Sequence, residues 1–155
     1  MSAETKHVHP PAQSFILGVL TELPAGMLLL EMSGPRHRWE TGILADCPLP
    51  DGMRLAAGVV DTAAPVAEHE RTVMSSLLAV AEVTGMDPGM ILATPDCGFR
   101  TTLAQAAPSF TTRLKLQAMV SGARLAAEVT RTRGLMTGQA TPASGEPKGR
   151  LASRT

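Results

Sequence analysis

Apolar residues along the chain fall into two kinds of run. Gln13–Leu23 (QSFILGVLTEL) places Ile16, Leu17, Leu20 and Leu23 at helical spacing and stops at Pro24, which predicts a helix. Met27–Leu30 is a four-residue apolar run behind the turn signal Pro24-Ala25-Gly26. It ends on Glu31, the pattern of a buried strand with a polar residue at its C-terminal end. Leu55–Val60 (LAAGVV) ends on Asp61 in the same way, and Met90–Ala93 (MILA) leads into TPDCGF. Between these runs, Pro65–Thr84 predicts a helix with Val66, Val73, Leu77, Val80 and Ala81 on one face and Gly85 as its stop. Ser109–Arg131 predicts a long helix with Leu114, Leu116, Met119, Val120, Ala123 and Ala127 as its apolar residues.

The order is therefore α, β, (α), β, α, β, α, which is the signature of a parallel α/β sheet built from βαβ units. Glu31, Asp61 and the pair Asp96-Cys97 all fall at or just after strand C-termini. In parallel α/β folds the strand–helix loops converge at that edge, and active sites form there.

Composition narrows the class. A chain of 155 residues with 44% hydrophobic residues can bury the core of one domain. Fourteen basic residues balance fourteen acidic ones, which excludes a general binder of nucleic acid or anionic membrane, and 3% aromatic content leaves few stacking platforms for bases. No apolar stretch of spanning length occurs and MSAETKHVHPP is no signal sequence, so a cytoplasmic protein is expected. Cys47 and Cys97 do not make a disulfide framework. The neutral total hides an asymmetry: from Arg131 onward there are five basic residues and one acid, leaving the body at −4. The segment 134–155 is rich in Gly, Pro, Ser and Thr and reads as a disordered tail behind a body of residues 1–133. Its spread charges read as a solvated terminus rather than a nucleic-acid arm.

Glu31, Cys97 and the four histidines (His7, His9, His37, His69) are the candidates for metal or acid–base chemistry. A thiolate with a carboxylate or imidazole at neighbouring strand ends can bind Zn²⁺, and a site with one open position is catalytic. Such a zinc lowers the pKa of a bound thiol and makes it nucleophilic at neutral pH. The plainer readings are a small buried thiol at Cys97 and an ion pair of Glu31 with Arg36 or Arg38. Cys47 reads as an incidental, partly buried thiol and Trp39 as a packing residue. His69 reads as a cap or surface residue near the start of its helix.

Three segments carry a resemblance: LLLEMSGPRHRWE (28–40), AAGVVDTAAPVAEH (56–69) and TPDCGFRT (94–101). In order and spacing, with GVVD ending 35 residues before the Asp of DCG, they resemble the C-terminal catalytic barrel of cobalamin-independent methionine synthases. They are most similar to its short methionine-synthase-like relatives. The cover runs from about Lys6 to Arg131. The resemblance implies the C-terminal part, about half, of a (β/α)₈ TIM barrel of the methionine synthase and uroporphyrinogen decarboxylase-like type, since a whole barrel takes about 250 residues.

The resemblance also implies an activity: zinc-dependent methyl transfer to a thiol, homocysteine becoming methionine with a methylated folate as donor. In the family, zinc is held by a His-x-Cys pair, a Glu ending the next strand, and the Cys of DCG. The last two map to Glu31 and Cys97, Asp61 takes the intervening strand end as the catalytic carboxylate, and Glu68-His69 match the EH of the longer motif. His37 and His69 fall on the substrate-side loops, the plainer reading of His37 being a pair with Glu40 or Glu31. This chain departs from the family at the pair, with His7-Val8-His9 and no Cys. His7 and His9 replace the pair on one alignment. On the other, they match an H-x-H downstream of it, and the ligand pair lies upstream of Met1. The expected partners are homocysteine or another small thiol, a methyl donor, and either a complementary barrel half or a second copy. The alternative is a truncated, non-catalytic fragment or a subunit that needs a second chain to complete its site.

Overall fold

The structure, a computed structural model, describes residues 18–19, 22, 24–34, 41–99 and 109–137. Strands β1 (Met27–Glu31), β2 (Arg54–Val60) and β3 (Ile91–Pro95) form a parallel sheet in the order β1-β2-β3. Helix α1 (Ile43–Asp46) lies between β1 and β2, α2 (Glu70–Thr84) crosses from β2 to β3, and α3 (Ser109–Thr137) follows β3. The class is the mixed α/β fold with a parallel sheet that the alternating runs predict. Of the helix expected over Gln13–Leu23, Gly18 and Val19 are helical and most of the rest lies outside the described residues.

The register explains where the core sits. Leu28, Leu55 and Ile91 form one row across the sheet, and Leu30, Ala57 and Ala93 the next. Side chains alternate along a strand, so both rows share one face. That face packs against Val73, Leu77 and Val80 of α2 and against Met119, Ala123 and Ala126 of α3. β2 is buried along nearly its whole length, as the run LAAGVV requires of a central strand. β1 differs from expectation. Its opposite face carries Met27, 42% exposed, and Leu29, 54% exposed. An apolar run marks a strand but cannot say how many of its faces are covered, and β1 is an edge strand among the described residues.

Two helices also correct the sequence reading. α2 begins at Glu70, not Pro65, so Val66 is 70% exposed and outside the core. Residues 61–69 instead form a loop with its own hydrogen bonds, and the helix starts where His69 caps it. The far end is as expected: Gly85 adopts φ 64° and donates its N–H to Ala81 O, the left-handed C-cap that favours glycine.

In α3 the buried face is rotated from the predicted one. Lys115, Met119, Gly122, Ala123 and Ala126 face inward, while Leu114, Leu116, Val120 and Ala127 are exposed. Size is the physical reason, because small residues let α3 approach α2 closely. A Cβ on Gly122 would lie 2.5 Å from Val73 Cβ and 2.6 Å from Glu70 O. The helix also runs on through Gly134 to Thr137, inside the stretch that composition assigns to the tail. The remainder of the tail lies outside the described residues. No helix among the described residues is long and apolar enough to cross a membrane.

Candidate active site at the C-terminal sheet edge

The three parallel strands bring Glu31, Asp61 and Cys97 to one edge of the sheet, because all strand C-termini of a parallel sheet point the same way. Glu31 is the last residue of β1, is exposed, and sits opposite Gly58 of β2. Cys97 follows β3 by two residues, is exposed and is in no disulfide. Its Sγ lies 3.1 Å from Thr62 Oγ1, a buried hydroxyl on the loop after β2. This contact joins the loop after β2 to the loop after β3.

Asp61 is built into its loop. Its Oδ1 accepts from the N–H groups of Ala63 (2.8 Å) and Ala64 (3.2 Å), an Asx turn that carries the chain off the strand. Its own N–H donates to Glu68 Oε1 at 2.8 Å, and its carbonyl accepts from Lys115 Nζ at 2.7 Å. Lys115 has no exposed side-chain surface and pairs with Glu68 at 3.2 Å. A buried ammonium needs such partners, since an unpaired charge in a low-dielectric interior costs several kcal/mol. The loop 61–68 is thereby clamped from α3. The carboxylate given the catalytic role by resemblance thus also has a loop-forming one.

Asp96 performs a second fixing task. It is buried, and its carboxylate gathers the loop after β1: Met32 N at 3.0 Å, Ser33 N at 3.1 Å and Ser33 Oγ at 2.5 Å. Gly58 makes room for this, because a Cβ there would overlap Asp96 Oδ1 and lie 2.8 Å from Leu30 O.

His69 is the N-cap of α2. Its Nδ1 accepts from Arg71 N at 3.1 Å, so the imidazole does the work usually given to Ser, Thr, Asp or Asn. His69→Ala is expected to lower stability by about 1 kcal/mol, and His69→Asn to restore most of it, in paired thermal melts. Cys47 is half-buried and packs against the core, as expected. His7, His9, His37 and Trp39, with Arg36 and Arg38, lie outside the described residues.

Sequence reasoning missed Thr62, Lys115 and the separate role of Asp96, and gave Glu68 no task beyond a motif match. Lys115 had a legible signal: it shares helical phase with Met119, Gly122 and Ala126, at spacings of 4, 7 and 11.

A catalytic zinc takes three protein ligands and keeps one position open. Among the described residues no group of three or more His, Cys, Asp or Glu is placed to hold a metal ion. Glu31 and Cys97 have the right donor chemistry and share an edge, but two donors do not complete the set.

Site and fold together define a parallel α/β unit with acidic and thiol side chains at its C-terminal edge. No protein-family model and no curated protein sequence matches the chain. Among solved structures, the chain is similar to a B12-independent methionine synthase from Shewanella sp. W3-18-1 in complex with selenomethionine. The TM-score is 0.60 and the identity 20%, over 78% of this chain and 31% of that one. The chain thus spans less than a third of that enzyme's length, and the likeness is one of fold.

Proposed function

We propose that this chain is part of a methionine-synthase-type barrel that acts in zinc-dependent methyl transfer to a thiol. Homocysteine would be the acceptor, a methylated folate the donor, and methionine the product. The supporting observation is the meeting of Glu31, Asp61 and Cys97 at one edge of a parallel sheet whose fold resembles that of a methionine synthase. Glu31 and Cys97 would hold the metal, with His7 and His9 as candidates for the remaining donors. Bound zinc would supply the acidity that keeps a substrate thiol ionised at neutral pH. The chain's own contribution is placement. Thr62 packs its hydroxyl on Cys97, and the Asx turn of Asp61 sets the course of the loop beside it.

A second reading is a non-catalytic barrel fragment or a subunit that needs a second chain. The observation behind it is coverage: the chain spans 31% of the methionine synthase it is similar to. Zinc content separates the two. The enzyme reading expects about one tightly held zinc per chain, lost in Cys97→Ala and in Glu31→Ala. Wild-type protein that holds no zinc at micromolar metal overturns it. Partnering is a separate proposal. β1 and β3 are the outer strands of the described sheet, the edges at which a second copy or a complementary half would add. Sedimentation is expected to show self-association, and a well-behaved monomer would count against it.

A further inference from the structure

We propose that Asp96 is a positioning residue that sets the spacing between Glu31 and Cys97. The purpose of that spacing rests on the zinc reading above, but the spacing itself does not. β1 and β3 are not neighbours, since β2 lies between them, and their backbones stand about two strand spacings apart, roughly 9.5 Å. Ladder bonds pin each outer strand end only to β2, with Met32 N–H donating to Gly58 O at 3.1 Å. Asp96 adds a direct tie between the two across the end of β2. Its backbone N–H continues the β2–β3 pairing, donating to Val60 O at 2.9 Å. Its side chain crosses above Gly58 and takes three hydrogen bonds from Met32 and Ser33.

The covalent neighbours give this its meaning. Met32 directly follows Glu31, and Asp96 directly precedes Cys97. The tie therefore joins the two candidate ligands through one residue on each side. Asp96 is 7% exposed, and burying a carboxylate is tolerable only with such donors around it. A residue needed only to fill this space could be apolar. A carboxylate with all three of its side-chain donors on one dipeptide fixes the course of that dipeptide. Groups hydrogen-bonded to metal ligands change affinity by about 10–100-fold when removed, and Asp96 acts on the two candidate ligands through the backbone of their neighbours.

The test reads spacing without metal and affinity with it. In a Cys47→Ser background, Glu31→Cys and Cys97 form a thiol pair that a bifunctional bimane can bridge, becoming fluorescent only when both ends react. The parent pair is expected to bridge. Adding Asp96→Ala is expected to slow bridging severalfold while labelling of Cys97 alone by a monofunctional bimane stays unchanged. Asp96→Asn keeps an acceptor for both N–H groups and is expected to rescue bridging, and Ser33→Ala to fall between. In the chain with Glu31 intact, Asp96→Ala should weaken zinc binding by about 10–100-fold, with Asp96→Asn close to wild type. A parent that does not bridge, or an Asp96→Ala chain that bridges as fast as the parent, overturns the proposal. If Asp96→Ala does not fold, the Ser33→Ala and Asp96→Asn rates decide it. A wild-type chain that binds no zinc overturns the zinc reading alone, and the bridging rates still decide the spacing.

Discussion

Glu68→Ala is expected to destabilise the protein by about 3–5 kcal/mol, the cost of leaving a buried partner charge without its counterion. Glu68 is the only carboxylate paired with Lys115 among the described residues, and the Lys115 side chain has no exposed surface on which to hydrate. The same carboxylate also accepts the N–H of Asp61, so its removal frees two donors at once. Lys115→Met should cost less. Glu68 keeps 15% exposure and its bond to Asp61, while methionine occupies much of the lysine stem. Glu68→Gln should fall between, because the amide oxygen can still serve Asp61. Urea melts of the three variants and of the Lys115→Met, Glu68→Ala pair measure the coupling. A Glu68→Ala variant as stable as wild type would refute the clamp.

Gly122→Ala is expected to lower stability by about 1–3 kcal/mol, against the roughly 1 kcal/mol that alanine ordinarily gains over glycine inside a helix. The reversal comes from the α2–α3 seam. The added methyl would meet Val73 Cβ at 2.5 Å, Val73 Cγ1 at 2.7 Å and the Glu70 carbonyl at 2.6 Å. Rotation about χ1 can carry Val73 Cγ1 away, but neither Val73 Cβ nor a helix carbonyl can turn aside, so the two helices must separate. Val73→Ala should therefore relieve only part of the cost, and the double variant should be less destabilised than the sum of the singles. Equal melting temperatures for Gly122→Ala and wild type would contradict the packing described.

These two effects lie where the sequence was hardest to read. The bounds of β2 were legible to within one residue, because a central parallel strand is apolar on both faces and its sequence shows it. The stop at Gly85 was legible from local backbone chemistry, and α3 starts at the Ser109 that the sequence pattern gives. The start of α2 was not. Pro65 looks like a first-turn proline, yet Asp61 and Glu68 bind the loop ahead of the helix, and a histidine serves as cap. The phase of α3 was misread because hydropathy ranks Leu114 and Leu116 above Gly122 and Ala126, while the seam selects for smallness. The convergence of Glu31, Asp61 and Cys97 on one sheet edge was legible because parallel strands present their ends together. Thr62 and Lys115 reach that edge through contacts spanning 35 and 54 residues, which no local pattern encodes.

The sheet also has a consequence in time. Met27 pairs with Arg54, 27 residues later, and Leu55 with Ile91, 36 residues later. No hairpin is available to nucleate either pairing, so each needs a long loop to close before any ladder bond rewards it. During synthesis, β1 leaves the ribosome with Met27 and Leu29 exposed and ahead of β2, its partner among the described residues. Folding of this unit is therefore paced by the arrival of its central strand, and a chain halted before Arg54 would carry β1 without the strand it pairs with here.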